Sequence, residues 1–131
     1  MEDIVLDTDI IIEYLRAKNK SNTLLIDLME KHNLFSTPIT EFELFLGAKT
    51  VRHKHDIEMI FHEVQVLPFD FGCGEIAANI WADLTEKNQH CEIRDIFVAS
   101  VAIFHDLRIC TFNKKHFRGI KDIRIWEAVE K

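Results

Sequence analysis

The stretch that decides the fold is residues 4–12, Ile-Val-Leu-Asp-Thr-Asp-Ile-Ile-Ile. Its first three residues are all apolar, which predicts a short strand buried on both faces, as in parallel sheets. Asp7 is the first polar residue after them, and a helical apolar pattern resumes at Ile10. Because open α/β sheets bind ligands beyond the carboxyl ends of their strands, we expect Asp7 to lie at the ligand-binding edge.

The rest of the chain alternates short apolar runs with amphipathic stretches. Strands are predicted at 4–6, 34–36, 64–67, 108–111 and 123–125, and helices at 10–15, 24–29, 37–48, 57–64, 76–84 and 96–105. Such alternation predicts parallel strands joined by right-handed crossovers. We therefore expect residues 1–131 to form one three-layer α/β/α domain, with a central, mostly parallel sheet of about five strands.

Composition fits one globular domain, with 131 residues, 47% hydrophobic and 29% charged. No apolar run approaches the roughly 18 residues of a membrane span. Glu2 and Asp3 stand where a signal peptide would carry basic residues, so we expect a cytoplasmic protein. The three cysteines form no CxxC pair, which favours small core residues over a disulfide framework.

Polar side chains at three further places are expected to join Asp7. Glu43 lies about two turns into the helix after the second strand, Asp95 opens an apolar helix, and Asn113 follows the strand ending at Thr111. Carboxylates brought together repel one another unless a cation compensates. Mg²⁺ prefers oxygen ligands and can turn a bound water into a nucleophile. A metal site built on Asp7, Glu43 and Asp95 is therefore predicted.

Each of these acids also has a structural interpretation. Asp95 could be a helix N-cap, and Asp7 could cap the helix before Ile10. Glu43 stands three residues after Thr40, the spacing of a capping box, although Thr37-Pro38 offers an earlier helix start. His53, His55 and His62, with Lys54 beside the first two, have poor spacing for a zinc site. This pattern is typical of a solvated helix face.

Four blocks of the sequence together resemble PIN domains. Residues 5–12 resemble the opening block, in which an Asp and then a Thr follow the first strand; residues 39–48 resemble the second, with Thr, a Glu-Leu pair and Gly. Residues 95–102 resemble the third, an Asp leading an apolar helix, and residues 111–117 the fourth, a Thr-x-Asn turn before an aromatic residue. The small size and Trp126 after the last strand point to the VapC toxins of VapBC toxin–antitoxin pairs.

This resemblance implies an endoribonuclease that depends on Mg²⁺ or Mn²⁺, forms homodimers and is inhibited by a VapB-type antitoxin. It implies Asp7, Glu43, Asp95 and Asn113 as catalytic residues, the first three as metal ligands. The fourth block departs from many PIN sites, because it offers Asn113 and His116 in place of an Asp. Glu92 could supply a compensating acid or be a solvated loop charge.

Two further expectations concern the surface. The net charge of −6 weakens a nucleic-acid hypothesis. However, six basic residues lie between Arg108 and Arg124, so a basic rim is expected around the site, with Lys114, Lys115 and Arg118 contacting RNA. The apolar helical segment 10–29 is expected to expose a partner surface.

Two rival functions remain at this stage. A haloacid-dehalogenase-like phosphatase would use the Asp-x-Asp of Asp7-Thr8-Asp9 after the first strand. A catalytically silent PIN domain could instead act as a protein-binding module, which the neutral Asn113 keeps open. Loss of metal-dependent RNA cleavage in Asp7→Asn would argue against the silent module.

Overall fold

The computed structural model describes residues 1–128. Its strands are β1 (Asp3–Leu6), β2 (Asn33–Ser36), β3 (Gln65–Val66) and β4 (Arg108–Cys110). Its α-helices are α1 (Thr8–Arg16), α2 (Leu24–Lys31), α3 (Pro38–Gly47), α4 (Val51–Glu63), α5 (Phe71–Glu86) and α6 (Ile93–Phe104), with short 3₁₀ turns at Lys20–Asn22 and Lys114–His116. The predicted alternation of strands and helices is confirmed.

The sheet is parallel throughout and has the order β3-β2-β1-β4. In β1, Ile4 is paired with Leu34 of β2 on one side and with Arg108 of β4 on the other. The expected fifth strand at 123–125 is reduced to one bridge between Ile125 and Ile109. Only two backbone hydrogen bonds join the segments there, so the pairing does not extend into a ladder.

The three-layer arrangement follows from the alternation of side chains along β1. Ile4 and Leu6 pack on one face with residues of α1, α2 and α4, whereas Val5 packs on the other face with α5 and α6. Each face therefore has its own apolar cluster, as expected for a strand whose neighbouring side chains point to opposite sides. The three-residue apolar run that predicted a fully buried strand is explained by these two clusters.

The apolar segment 10–29 is only partly buried, since Ile12, Leu15, Leu24 and Met29 lie at the edge of the core and stay partly exposed. Ile10, Ile11, Leu25 and Leu28 are fully buried because α1 and α2 pack directly against the sheet. Large apolar side chains are exposed elsewhere, on α3, α5 and α6; examples are Phe42, Leu46, Phe71, Trp81 and Phe104.

Two smaller sequence expectations can also be compared with the structure. Among residues 1–128, no helix is both long enough and apolar enough to cross a membrane. The cysteines are free thiols: Cys73 and Cys110 are buried and Cys91 is partly buried, in agreement with their interpretation as small core residues.

Candidate active site at the carboxyl end of the sheet

Asp7 leaves β1 at the carboxyl edge and is almost completely buried, with 2% exposure. Its Oδ1 accepts a hydrogen bond from the backbone N–H of Thr8 at 2.8 Å, so Asp7 does cap α1. Its other oxygen, Oδ2, accepts a hydrogen bond at 2.8 Å from the hydroxyl of Thr111, the residue directly after β4. Asp7 therefore caps α1 through Oδ1 while Thr111 holds its Oδ2, so a capping role and a position at this edge of the sheet are compatible.

Glu43 reaches the same edge from α3. Thr37 caps this helix by accepting from the backbone N–H of Thr40 at 3.2 Å, so the capping-box interpretation of Thr40 and Glu43 is wrong. Instead, Glu43 Oε1 accepts from the Thr8 hydroxyl at 2.6 Å, and Thr40 shares a 2.9 Å hydroxyl contact with Thr8. Because α3 already has a cap, the Glu43 carboxylate turns towards the start of α1.

Asp95 is also 2% exposed and lies in the first turn of α6. The N-cap interpretation of Asp95 is wrong, because α6 begins at Ile93 and Glu92 occupies the cap position without a side-chain cap bond. Asp95 is thus not required to start the helix. Glu92 itself is exposed, in agreement with a solvated loop charge.

A single guanidinium joins the three predicted ligands. Arg94 Nη2 contacts Asp7 Oδ1 at 2.9 Å and Glu43 Oε1 at 2.6 Å, and Nη1 contacts Asp95 Oδ1 at 2.5 Å. Arg94 Nε donates to Glu43 Oε2 at 3.1 Å, and Nη2 also contacts the Thr8 hydroxyl at 3.0 Å. Acids from β1, α3 and α6 therefore converge on one point, as the sequence predicted, but that point holds a cationic side chain of the chain itself.

Sequence reasoning missed Arg94, although a signal was present. Arg94 is the second residue of α6, where the helix dipole disfavours a positive charge. A basic residue beside the predicted acid Asp95, in the first turn of a mostly apolar helix, indicates that nearby carboxylates compensate for it. The roles of Thr8, Thr40 and Thr111 as orienting hydroxyls were also missed, although all three lie within the quoted blocks.

The electrostatics of the cluster depend on Arg94. Burial alone would raise the pKa of Glu43, but the hydrogen bonds from Arg94 and Thr8 outweigh it and hold that pKa below its usual range. For Asp95, burial dominates and raises the pKa even though Arg94 acts in the opposite direction. Burial would lower the pKa of Arg94, but its hydrogen bond to Glu43 and the nearby Asp7 charge raise it. The guanidinium is therefore permanently charged in this position.

Asp9 adds a fourth acid next to this cluster. Its Oδ2 accepts from the backbone N–H of Phe112 at 3.0 Å, from Thr111 at 3.3 Å and from the side-chain amide of Asn113 at 3.1 Å. Within residues 1–128, Asp9 Oδ1 is buried and has no hydrogen-bond partner. Burial, followed by the charge of Asp7, raises the pKa of Asp9. Asn113 is thus at the edge of the site, but its contact is with Asp9 and not with the three acids around Arg94.

The basic residues divide between the two ends of the sheet. Lys115 and His116 line a cleft beside Asp95, and His116 Nδ1 lies 3.4 Å from Asp95 Oδ2. Lys114 pairs with Glu127 at 3.2 Å, and Arg118 is exposed. Arg108 and Arg124, by contrast, lie at the opposite edge and pair with Glu2 and Asp106. The expected basic rim is therefore limited to the segment after β4.

The histidines of α4 have the environment that the sequence indicated. His53, His55 and His62 are all exposed. In the part of the chain that the structure describes, no group of three or more His, Cys, Asp or Glu side chains is arranged to hold a metal ion. The carboxylates of Asp7, Glu43 and Asp95 surround the Arg94 guanidinium instead.

The family model of the PIN domain matches residues 4–122 of this chain. The chain belongs to the PIN-domain family. The match covers all four blocks that resemble PIN domains, at residues 5–12, 39–48, 95–102 and 111–117. It leaves the phosphatase alternative without support.

Individual PIN relatives resemble the chain over nearly its whole length. It is 27% identical over 140 residues to the plasmid stability protein StbB of Pseudomonas syringae pv. tomato, covering 95% of this chain and 99% of that one. In structure it resembles a chain of VapBC2 from Rickettsia felis bound to a promoter DNA fragment, with a TM-score of 0.82, 20% identity and coverage of 95% and 99%. It also resembles a chain of FitAcB from Neisseria gonorrhoeae, with a TM-score of 0.76, 25% identity and coverage of 95% and 96%.

Proposed function

We propose that this PIN domain is a metal-dependent endoribonuclease and the toxin of a toxin–antitoxin pair. The observation that carries the proposal is the convergence of Asp7, Glu43 and Asp95, from three separate elements, on one cation-binding point. The point lies at the carboxyl edge of a parallel sheet, where α/β proteins bind ligands. Similarity to VapBC complexes supports the toxin role.

The residues present fit a hard divalent cation. Asp7, Glu43 and Asp95 would hold it, since all three offer carboxylate oxygens, the ligands that Mg²⁺ and Mn²⁺ prefer. The buried, unpartnered Oδ1 of Asp9, judged among residues 1–128, is a further oxygen donor beside them. When bound, such a metal lowers the pKa of a water and stabilises the charge that develops on a phosphodiester.

The chain's own hydroxyls hold these carboxylates in place. Thr111 donates to Asp7 Oδ2 and Thr8 donates to Glu43 Oε1, so two of the three acids have an oxygen fixed by a threonine. Such partners fix the orientation of a ligand and are worth 10–100-fold in metal affinity or activity in other sites. The threonines of the PIN blocks therefore act as positioning residues.

RNA would approach along the segment after β4. Lys115 lines the cleft beside Asp95, and Lys114 and Arg118 stand close to it in sequence. We infer that these three side chains attract phosphates, in which case cleavage weakens as salt rises. Asn113 acts at the edge of the site, where it holds Asp9.

Cleavage of RNA by wild-type protein and Asp7→Asn, with and without Mn²⁺, tests the enzyme assignment. Wild-type activity should require the metal and disappear with a chelator, and Asp7→Asn should be inactive while still folded. Asp27→Asn is the matched control, because Asp27 forms an exposed pair with Lys31 within α2. If neither wild type nor control cleaves RNA, the alternative gains support: a silent PIN module in which Arg94 and the acids form a structural ion network.

The same proposal includes a homodimer and a VapB-type antitoxin as partners. The relatives named VapBC are toxin–antitoxin complexes, and exposed apolar side chains on α3 and α5, such as Phe42, Phe71 and Trp81, provide surface for a partner. Light scattering should show a dimer at micromolar concentration. A short reading frame overlapping the start of this gene should encode a protein that copurifies with the chain; a strict monomer with no such neighbour contradicts this part of the proposal.

A further inference from the structure

We propose that Arg94 is a built-in occupant of the acid cluster, which a divalent cation must displace, so that this side chain sets how tightly the domain binds its metal. The inference rests on the proposed metal site. It concerns a residue outside the four predicted catalytic positions. It also identifies the chain itself, and not a partner, as the competitor for the site.

Arg94 contacts one oxygen of each acid that would hold the proposed metal. Its two terminal nitrogens contact Asp7 Oδ1, Glu43 Oε1 and Asp95 Oδ1 at 2.5–2.9 Å. Its Nε takes the remaining oxygen of Glu43 at 3.1 Å. A planar guanidinium with several fixed donors matches carboxylates well, so this arrangement satisfies three acids with one side chain.

Geometry makes the two cations mutually exclusive at these oxygens. A magnesium ion must lie about 2.0–2.1 Å from each ligand oxygen. An ion at that distance from Asp7 Oδ1 and Glu43 Oε1 would lie beside Nη2, whose hydrogens point at the same two oxygens. Like charges at such a distance, in a partly buried site, repel strongly. Metal binding therefore requires the guanidinium to withdraw.

The position of Arg94 permits that withdrawal. Its side chain keeps 25% of its surface exposed, whereas those of Asp7 and Asp95 keep 3%. Among residues 1–128, its side chain donates hydrogen bonds to the three acids and Thr8 and to no other residue. A long side chain at the start of α6 can swing into solvent without disturbing the sheet, while threonines hold the Asp7 and Glu43 carboxylates.

The arrangement has a consequence for the metal-free protein. Without Arg94, three neighbouring carboxylates would repel one another with no cation between them. Arg94 compensates these charges before metal arrives. Metal can bind only to molecules in which Arg94 has left the site, so the apparent metal affinity is the intrinsic affinity multiplied by the fraction of such molecules. The domain would thus become active only where the divalent cation is abundant or where substrate contributes further ligands.

Isothermal titration with Mn²⁺ on wild type, Arg94→Met and Arg108→Met tests the proposal. Methionine keeps an unbranched stem like that of arginine and removes the charged guanidinium. Arg94→Met should bind Mn²⁺ at least about tenfold more tightly than wild type, because the competitor is gone. Arg108→Met removes the same charge from a pair with Glu2 at the opposite edge of the sheet and should leave the affinity unchanged.

Thermal unfolding provides a second readout. Metal-free Arg94→Met should melt at a lower temperature than wild type. Mn²⁺ should raise its melting temperature by more, since at the same concentration a ligand with a lower Kd stabilises the folded state more. If Arg94→Met does not fold, a Mg²⁺ titration of the wild type followed by NMR replaces it. The Nε–H resonance of Arg94 should then shift and exchange faster with water as Mg²⁺ binds.

The outcomes separate this proposal from the proposed function. Equal Mn²⁺ affinity in wild type and Arg94→Met, or an Arg94 resonance that does not respond while Mg²⁺ binds, overturns the role of Arg94 and leaves the metal site in place. Absence of Mn²⁺ binding in every variant overturns both. An equal gain in affinity in Arg108→Met also overturns it, because the effect would then be one of net charge.

Discussion

Arginines meet carboxylates at both ends of the central sheet, in two very different settings. At the amino end, Arg108 pairs with Glu2 at 3.2 Å and Arg124 with Asp106 at 2.7 Å, and all four side chains are more than 40% exposed. At the carboxyl end, one arginine serves three acids, two of which are 3% exposed. Exposed pairs contribute little to stability, whereas removing one member of a buried network leaves charges uncompensated.

The difference teaches how to separate surface charge from a site in this chain. Each arginine at the amino end contacts one acid, and both side chains are exposed enough for water to replace that contact. The carboxyl-end acids come from β1, α3 and α6, and threonines hold two of them in fixed orientations. Acids that are concentrated in this way, at the edge where α/β proteins bind ligands, indicate a binding site and not only a solvated surface.

The largest difference between the two ends is expected in RNA cleavage, when one carboxylate at each end is neutralised in separate variants. Asp95→Asn should lower RNA cleavage by at least about a hundredfold, because even partners behind metal ligands cost 10–100-fold. Circular dichroism should remain native, since Asp95 does not cap α6. Asp106→Asn, at the exposed end, should cleave RNA at the wild-type rate. Comparable activity in Asp95→Asn and Asp106→Asn would remove Asp95 from the site.

The next effect concerns stability. In metal-free protein, Arg94→Met should lower the free energy of unfolding by on the order of 3 kcal/mol, because three clustered acids, two of them buried, lose the guanidinium that contacts them all. Arg108→Met should change it by less than about 1 kcal/mol, since its pair is exposed. Urea denaturation without metal measures both. Equal, small losses would mean that the Arg94 network is as weak as a surface pair.

The fold could be predicted well from sequence because its signals are local. The apolar run 4–6, the Thr37-Pro38 helix start and the periodicity of α5 and α6 each reflect burial on a known face. The prediction of a fifth strand at 123–125 was wrong in extent, because a three-residue apolar segment does not reveal whether pairing continues beyond one bridge. The most exposed apolar side chains, such as Phe71, could not be located, because hydrophobic spacing predicts the buried face of a helix and not what remains outside.

The sequence located the acids of the candidate site but not the arginine between them, Arg94. Asp7, Glu43 and Asp95 could be located because each follows a recognisable strand or helix start. Arg94 could not be placed by the same reasoning, since its guanidinium stands at the end of a long side chain whose direction depends on tertiary packing. Asp9 was read only as half of an Asp-x-Asp pair, although its contact with Asn113 explains what the fourth block does.

The smallest effect is expected from Asn113→Asp, at the rim of the cluster. The amide of Asn113 now donates to Asp9 Oδ2 at 3.1 Å, and the variant replaces that donor with a second carboxylate. Because hard cations are tuned by the number and charge of their oxygen ligands, Mn²⁺ should bind the variant a few-fold more tightly, roughly twofold to tenfold. The metal-free variant should lose about 1 kcal/mol of stability from the missing hydrogen bond. Isothermal titration measures the first change and urea denaturation the second. If stability falls and Mn²⁺ affinity does not change, Asn113 and Asp9 form a structural contact that lies beyond the reach of the metal, and the site ends at the three acids around Arg94.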